Sequence, residues 1–381
     1  VKTARILIAA LLLATACRPD REAQTAAPQG DIPVGVYGAL TGSEAAFGTS
    51  TVNGVRMAAD EINAAGGIDG RKIKLFVEDD QGRAEEAASV VTKLITSDNV
   101  LGLIGENSSN QSLAAAPTAQ QYGVPMISPS STNPAVTQKG DYIFRVCFTD
   151  PYQGKALATF VKNNLDMTTV ATLLDKKNDY SVGLAEFFKK EFEALGGKVI
   201  AEQSYTGGDT EFRPQLTAIR KLNPQVLFLP GFYTDVGQIA IQARDLGMNI
   251  PLVGGDGWDS PAVIEIGGKA IENSYFSDHY FVNEKRPAVE KFVAEYKRRY
   301  GGKNPEATAA LGYDALYIFA QALDRAGTPD RKKIRDEIAK THAFQGIAGY
   351  IEMGADRNPI KPVAMIKIED GRMQFAGWVK P

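Results

Sequence analysis

Short apolar runs rich in β-formers alternate with helical patterns along this chain, and that rhythm constrains its fold more than any other feature. Ile32–Val36, Ile73–Val77, Val100–Ile104, Val124–Ile127 and Tyr142–Val146 read as strands, with helices at Val52–Ala64, Ala84–Thr96 and Ser112–Tyr122. Such alternation builds a parallel sheet with helices on its faces. The rhythm restarts after Asp150: Pro151 opens a helix to about Leu165, and strands follow at Val170–Leu174, Val199–Tyr205, Val226–Pro230, Ile250–Val253 and Tyr275–Asp278. Helices at Gly183–Leu195, Phe212–Leu222 and Val236–Leu246 separate them, the first stopped by Gly196-Gly197. The fold class is α/β, with two doubly wound bodies. A length of 381 residues agrees, being more than twice the usual domain of about 100–200 residues.

The last hundred residues break the rhythm. Helices Pro287–Tyr300, Ala307–Ala326 and Arg331–Lys340 follow one another with little strand between them, so they must cover a sheet already made. The chain is expected to return to the first body after about His279 and to close with strand-like Ile347–Glu352, Val363–Glu369 and Met373–Val379. Two bodies joined by several crossings make a hinge.

At the other end, Lys2 and Arg5 precede an apolar stretch, Ile6 to Ala14, then Thr15, Ala16 and Cys17. This is the layout of an export signal, and its apolar run is too short for a bilayer, which takes about 20 residues. Ala14-Thr15-Ala16-Cys17 resembles a bacterial lipobox, in which Cys17 is acylated and becomes the new N-terminus. Ala14 departs from the usual leucine, and an ordinary secretory signal with an incidental cysteine is the other reading. Residues 1–16 are thus a signal peptide and 17–30, polar and without apolar periodicity, a lipidated tether.

Composition narrows the chemistry. Lys+Arg 42 against Asp+Glu 45 gives a net charge of −3 with the signs interspersed, so no basic patch marks a nucleic-acid partner. Two cysteines and two histidines, Cys17, Cys147, His279 and His342, are too few for a zinc cluster or a disulfide framework. No phosphate loop, dinucleotide fingerprint, nucleophile elbow or H-E-x-x-H is present, so neither a cofactor nor a metal is called for. An enzyme here would have to use carboxylates alone, such as Asp256 and Asp259. His279 and His342 read as structural, and Cys147 as a buried small hydrophobe.

Ligands of open α/β sheets bind beyond the carboxyl ends of strands, which directs attention to the loop after each strand. After Val100–Ile104 comes Gly105-Glu106-Asn107-Ser108-Ser109-Asn110-Gln111-Ser112, and after Val124–Ile127 comes Ser128-Pro129-Ser130-Ser131-Thr132-Asn133-Pro134. Hydroxyls and backbone N–H groups at a helix start suit a carboxylate or other small anion. Ser109, Thr132 and Asn133 are equally the residue types that cap helices. In the second body, Ile250–Val253 leads into Gly254-Gly255-Asp256-Gly257-Trp258-Asp259, which leaves Asp256 as an unshielded carboxylate whose natural partner is a cation, or as a turn residue. Loops Asp175–Tyr180 and Gly231–Thr234 add aromatics. Anion donors on one body and a carboxylate with aromatics on the other suit a zwitterion held between them.

From Asp31 onward the chain resembles the periplasmic leucine/isoleucine/valine-binding protein family, the type I substrate-binding components of ABC transporters. The resemblance is carried by GALTGSEAAFG (38–48), NGVRMAADEINAAGGIDGRKI (53–73), PMISPSSTNPAVT (125–137), DKKNDYSVGLA (175–185), GFYTDVGQIAIQAR (231–244) and LVGGDGWD (252–259). It implies two Rossmann-like lobes joined by a three-crossover hinge, with 31–148 plus 280–352 in the N-terminal lobe and 149–279 plus 353–381 in the C-terminal lobe. It implies that Ser109 and Thr132 hold a ligand carboxylate, that the Ser130 carbonyl and Asp256 receive an ammonium, and that Phe47, Tyr180 and Phe232 flank the ligand. Asn107 stands where an apolar residue lines the side-chain pocket in well-known members, and a buried amide disfavours a purely aliphatic ligand. A disulfide those members carry near the hydroxyl loop has no cysteines here.

The function so implied is that of an exported solute-binding protein, anchored to the membrane through lipid on Cys17 in the periplasm or cell envelope. It would capture an amino acid, branched-chain or similar, and deliver it to an ABC transporter permease. The alternatives are an envelope ligand sensor and a binding protein for an amide, urea or aromatic acid, which related proteins of this fold bind.

Overall fold

A computed structural model describes residues 30–379; the expected signal peptide and lipidation site at Cys17 lie outside the described residues. The first sheet holds β1 (Ile32–Gly38), β2 (Ile73–Asp79), β3 (Gly102–Ile104), β4 (Met126–Ser128) and β5 (Ile143–Arg145), all parallel in the order β2-β1-β3-β4-β5. Helices α1 (Ala45–Ala64), α2 (Ala84–Thr96) and α3 (Ser109–Gln121) make the crossovers. β1 displays the strand period of two: Ile32, Val34 and Val36 enter the core shared with α1, while Tyr37 enters the core on the other face, shared with α2 and α3. Gly35, on that second face, leaves room only for Leu103 and Leu94, since a Cβ there would come within 2.8 Å of the Leu103 side chain.

The second lobe repeats the plan. After α4 (Asp150–Thr159), which runs on into one wider turn at Phe160–Asn164, come β6 (Thr169–Asp175), α5 (Asp179–Ala194), β7 (Lys198–Tyr205), α6 (Arg213–Arg220), β8 (Val226–Leu229), α7 (Tyr233–Asp245), β9 (Leu252–Gly254), α8 (Pro261–Gly267) and β10 (Ser274–Asp278). The chain then returns to the first lobe as α9 (Pro287–Arg299), α10 (Ala307–Ala326) and α11 (Arg331–Ala339), whose apolar sides join the core of β1 and α1. α10 lies against α1 closely enough that a Cβ on Gly54 would stand 1.9 Å from the Ala309 carbonyl oxygen.

The stretch expected as one strand at Ile347–Glu352 is instead a hairpin, β11 (Phe344–Gly346) and β12 (Gly349–Ile351). Its turn is pinned by the buried Asp314 carboxylate, which accepts from the backbone N–H of Ile347 at 2.7 Å and of Ala348 at 2.9 Å. The chain crosses a third time, and β13 (Val363–Glu369) and β14 (Arg372–Val379) add antiparallel to β10. The second sheet therefore reads β14-β13-β10-β9-β8-β6-β7.

Each sheet reverses its winding at one place: between β1 and β3 in the first lobe, and between β6 and β8 in the second. In doubly wound sheets that switch point opens a crevice beyond the strands' carboxyl ends. The two crevices face each other.

Candidate functional site

Between those crevices lies a cavity. All eight residues singled out as site candidates line it: Phe47, Asn107, Ser109, Ser130 and Thr132 from the first lobe, Tyr180, Phe232 and Asp256 from the second. Every one follows a strand. Phe47 stands in the first turn of α1 after β1, Asn107 and Ser109 follow β3, Ser130 and Thr132 follow β4, Tyr180 follows β6, Phe232 precedes α7 after β8, and Asp256 follows β9.

The lobes are closed on one another. The Asn110 side chain donates to the Lys177 carbonyl at 3.2 Å and accepts from the Asp179 N–H at 2.8 Å, and Asn133 donates to the Asp179 carbonyl at 3.0 Å. On the other flank the Tyr233 hydroxyl accepts from the Ala46 N–H at 3.3 Å, and the Ser260 hydroxyl donates to Glu306 at 3.0 Å. Phe47 reaches across: it is 4% exposed and sits within the second lobe's core, edge-on to Tyr233 at 5.1 Å and to Phe232 at 6.1 Å. Tyr180 stacks on Phe232 at 5.4 Å, completing an aromatic wall.

The hydroxyl loops act differently from helix caps. The N-cap residue of α3 is Ser108, without a side-chain cap, while the Ser109 hydroxyl accepts from the Asn133 N–H at 3.2 Å across the two loops. Asn133 closes a turn by accepting from the Ala135 N–H at 2.9 Å. The Thr132 hydroxyl is buried and lies beside the Asp150 carboxyl. Behind the loop, burial pushes the Glu106 carboxyl well above its ordinary range, and it accepts from the Ala39 N–H at 3.2 Å and from the Ser108 N–H.

Asp256 is not the unshielded carboxylate expected. Its Oδ1 accepts from Gln153 Nε2 at 2.7 Å and from the Tyr180 hydroxyl at 3.0 Å, and its Oδ2 lies 3.0 Å from His279 Nε2. These three partners are neutral or held so: burial lowers the His279 pKa, and its ring stacks on Phe148 at 3.9 Å. The carboxylate is fixed by hydrogen bonds, and among the described residues no Lys or Arg pairs with it. Nearby Asp150, fully enclosed, is pushed up to about 8 by burial.

Several contributors escaped the sequence reading, Thr308 at the start of α10 among them. His279 lines the cavity, and Gln153 positions Asp256. His279 directly follows β10, so the rule applied to the other strands would have found it; Gln153 sits on α4 and carries no local signal. Among the described residues, no cluster of three or more ligating side chains could hold a metal ion, and no helix is long and apolar enough to cross a membrane.

The profile of a family described as periplasmic binding protein matches residues 31–372. A protein described as Leu/Ile/Val-binding protein homolog 2 from Brucella abortus (strain 2308) is 31% identical over 353 residues, spanning 91% of this chain and 93% of that one. Among solved structures, a leucine binding protein, LivK, from Thermotoga maritima superposes with a TM-score of 0.88 at 39% identity, covering 92% of this chain and 99% of that one. The branched-chain amino acid transporter substrate binding protein LivJ from Streptococcus pneumoniae, solved in complex with isoleucine, gives 0.88 at 34% identity over 92% and 100%. The chain belongs to the periplasmic binding protein family. It is a two-lobed solute-binding protein of the type that serves ABC transporters, extracytoplasmic and not an enzyme.

Proposed function

We propose that this protein captures an α-amino acid between its lobes and hands it to an ABC transporter permease. The observation that carries the reading is Asp256: a nearly buried carboxylate, 9% exposed, held by Gln153, Tyr180 and His279, with no Lys or Arg pairing with it among the described residues. A charge so placed is stabilised by an ammonium brought by the ligand. Opposite it, the Ser109 and Thr132 hydroxyls and the N–H groups at the start of α3 receive the ligand carboxylate, where the helix dipole favours negative charge. The Ser130 carbonyl takes a second ammonium hydrogen, and Phe47, Tyr180 and Phe232 exclude water, which strengthens both charge pairs. The Leu/Ile/Val-binding description of the Brucella relative and the isoleucine complex of LivJ support an amino acid as the ligand.

Closure buries the ligand and brings both lobes into one surface, which is the form a permease would recognise. Lipid on Cys17, followed by the tether to residue 30, would keep the protein at the membrane where that permease sits. The test is to unfold the purified protein, identify the released small molecule by mass spectrometry, and add it back to refolded protein with the reconstituted permease. An unmodified amino acid that stimulates the permease ATPase is the expected result; release of a compound without an amine contradicts it.

A further inference from the structure

The wall of the cavity formed by Asn107 and Thr308 is not an apolar one. Asn107 is 7% exposed, and its side-chain oxygen accepts from the Thr51 hydroxyl at 2.9 Å and the Ser130 hydroxyl at 3.1 Å, while its nitrogen has no partner. The Thr51 hydroxyl also lies 3.3 Å from the Thr308 carbonyl and can turn its proton there. If the amide is reversed, its nitrogen donates to the two hydroxyls and its oxygen becomes the end without a partner. Either way one end of a buried amide is unpaired. Thr308, 5% exposed and lining the same cavity from α10, carries a hydroxyl that also has none.

Buried polar groups are rarely left unpaired, and two residues that line the same cavity each carry such a group, which argues for a polar partner beside them. We propose that this wall is the side-chain subsite for a neutral side chain bearing a hydroxyl or an amide, so that the ligand is an amino acid of the threonine or asparagine kind and not an aliphatic one. The proposal rests on the amino-acid reading above. A hydroxyl or amide both donates and accepts, and so satisfies Asn107 in either orientation together with Thr308. Asn107 and Thr308 carry no charge to offset the desolvation of a charged side chain, and Asp259, which also lines the cavity, already accepts from the Ala307 N–H. An aliphatic side chain would cover both orphan groups and leave them unpaired, the arrangement that polar sites reject most strongly.

The experiment uses ligand-stripped, refolded protein and calorimetric titration with two pairs matched in shape, L-threonine against L-valine and L-asparagine against L-leucine. The expected result is that at least one polar member binds tenfold or more tighter than its aliphatic mate, and that Asn107→Val narrows or reverses that ratio. The wild-type ranking alone decides if the variant does not fold. Aliphatic members binding as tightly as, or tighter than, their polar mates overturn the subsite while leaving the amino-acid reading standing. So does tighter binding of L-lysine or L-aspartate than of either polar member. If no α-amino acid titrates but a deaminated acid does, the amino-acid reading itself has failed and the subsite falls with it.

Discussion

Nε2 of His279 lies 3.0 Å from Oδ2 of Asp256, and the two residues follow adjacent strands of the second sheet. The relationship sets the charge of the second lobe's half of the site. Burial lowers the His279 pKa, so at neutral pH the ring is an uncharged partner that orients Asp256 without neutralising it. An imidazolium there would complete an ion pair within the protein and leave the ligand's ammonium without its counter-charge.

Stability should depend on pH with a definite sign. Because the folded chain holds His279 with a lowered pKa, the unfolded chain binds the proton first as pH falls through about 6.5. The histidine's contribution is therefore intact above that pH and is lost below it, by at most about 1.4 kcal/mol per pH unit. Urea unfolding of the wild type and of His279→Gln from pH 8 to 5 checks this, because the buried carboxyls away from His279 cancel in the difference. The variant should gain on the wild type only below about pH 6.5. A difference that stays flat with pH contradicts the neutral histidine.

Asp256→Asn keeps the size of the side chain and removes its charge. Calorimetry should register a loss of about 2–4 kcal/mol in amino-acid affinity, the scale of removing one member of a buried charge pair. Affinity for the matching deaminated acid should change far less. Equal losses for both ligands would show that Asp256 does not meet an ammonium.

Phe47 belongs to the first lobe by sequence and to the second lobe's core by contact. Phe47→Ala should therefore weaken ligand binding by roughly 10–100-fold, as truncating a central aromatic anchor does, through loss of the closed form. The urea stability of the stripped protein should fall much less. An unchanged dissociation constant would mean that this contact contributes nothing to closure.

Gly54→Ala tests the packing of α1 on α10. A Cβ 1.9 Å from the Ala309 carbonyl oxygen cannot be accommodated without moving a helix. The expected cost is about 3 kcal/mol, at the upper end for overpacking, read as a lower urea midpoint or loss of soluble protein. A variant as stable as the wild type would show that the two helices part easily.

How much of the fold and the site was legible in the sequence depended on where each residue's partners lie. β1 and its neighbours announced themselves because Ile32, Val34 and Val36 pack within one lobe and obey a local period. α1 begins at Ala45, well before the helix expected from Val52, because Ala46 and Phe47 face the other lobe and leave no apolar stripe on their own. Asn107, Ser109 and Asp256 were legible because each stands just after a strand, and all three line the cavity. Gln153 was not, since only the folded chain brings it to Asp256 from 103 residues away. The hairpin at Phe344–Ile351 reads as a single strand in the sequence for the same reason: its turn is held by Asp314, on a helix distant in sequence.

In the proposed complex both ends of an amino acid's backbone are gripped, the carboxylate by the first lobe and the ammonium by Asp256 of the second together with the Ser130 carbonyl of the first. The most direct measurement is calorimetric titration of stripped, refolded protein with one amino acid that binds, its deaminated acid and its decarboxylated amine. Loss of either end should cost on the order of 100-fold or more in affinity, since each truncation leaves a desolvated charged or polar site unpaired. A deaminated acid that binds as tightly as the parent would contradict the account.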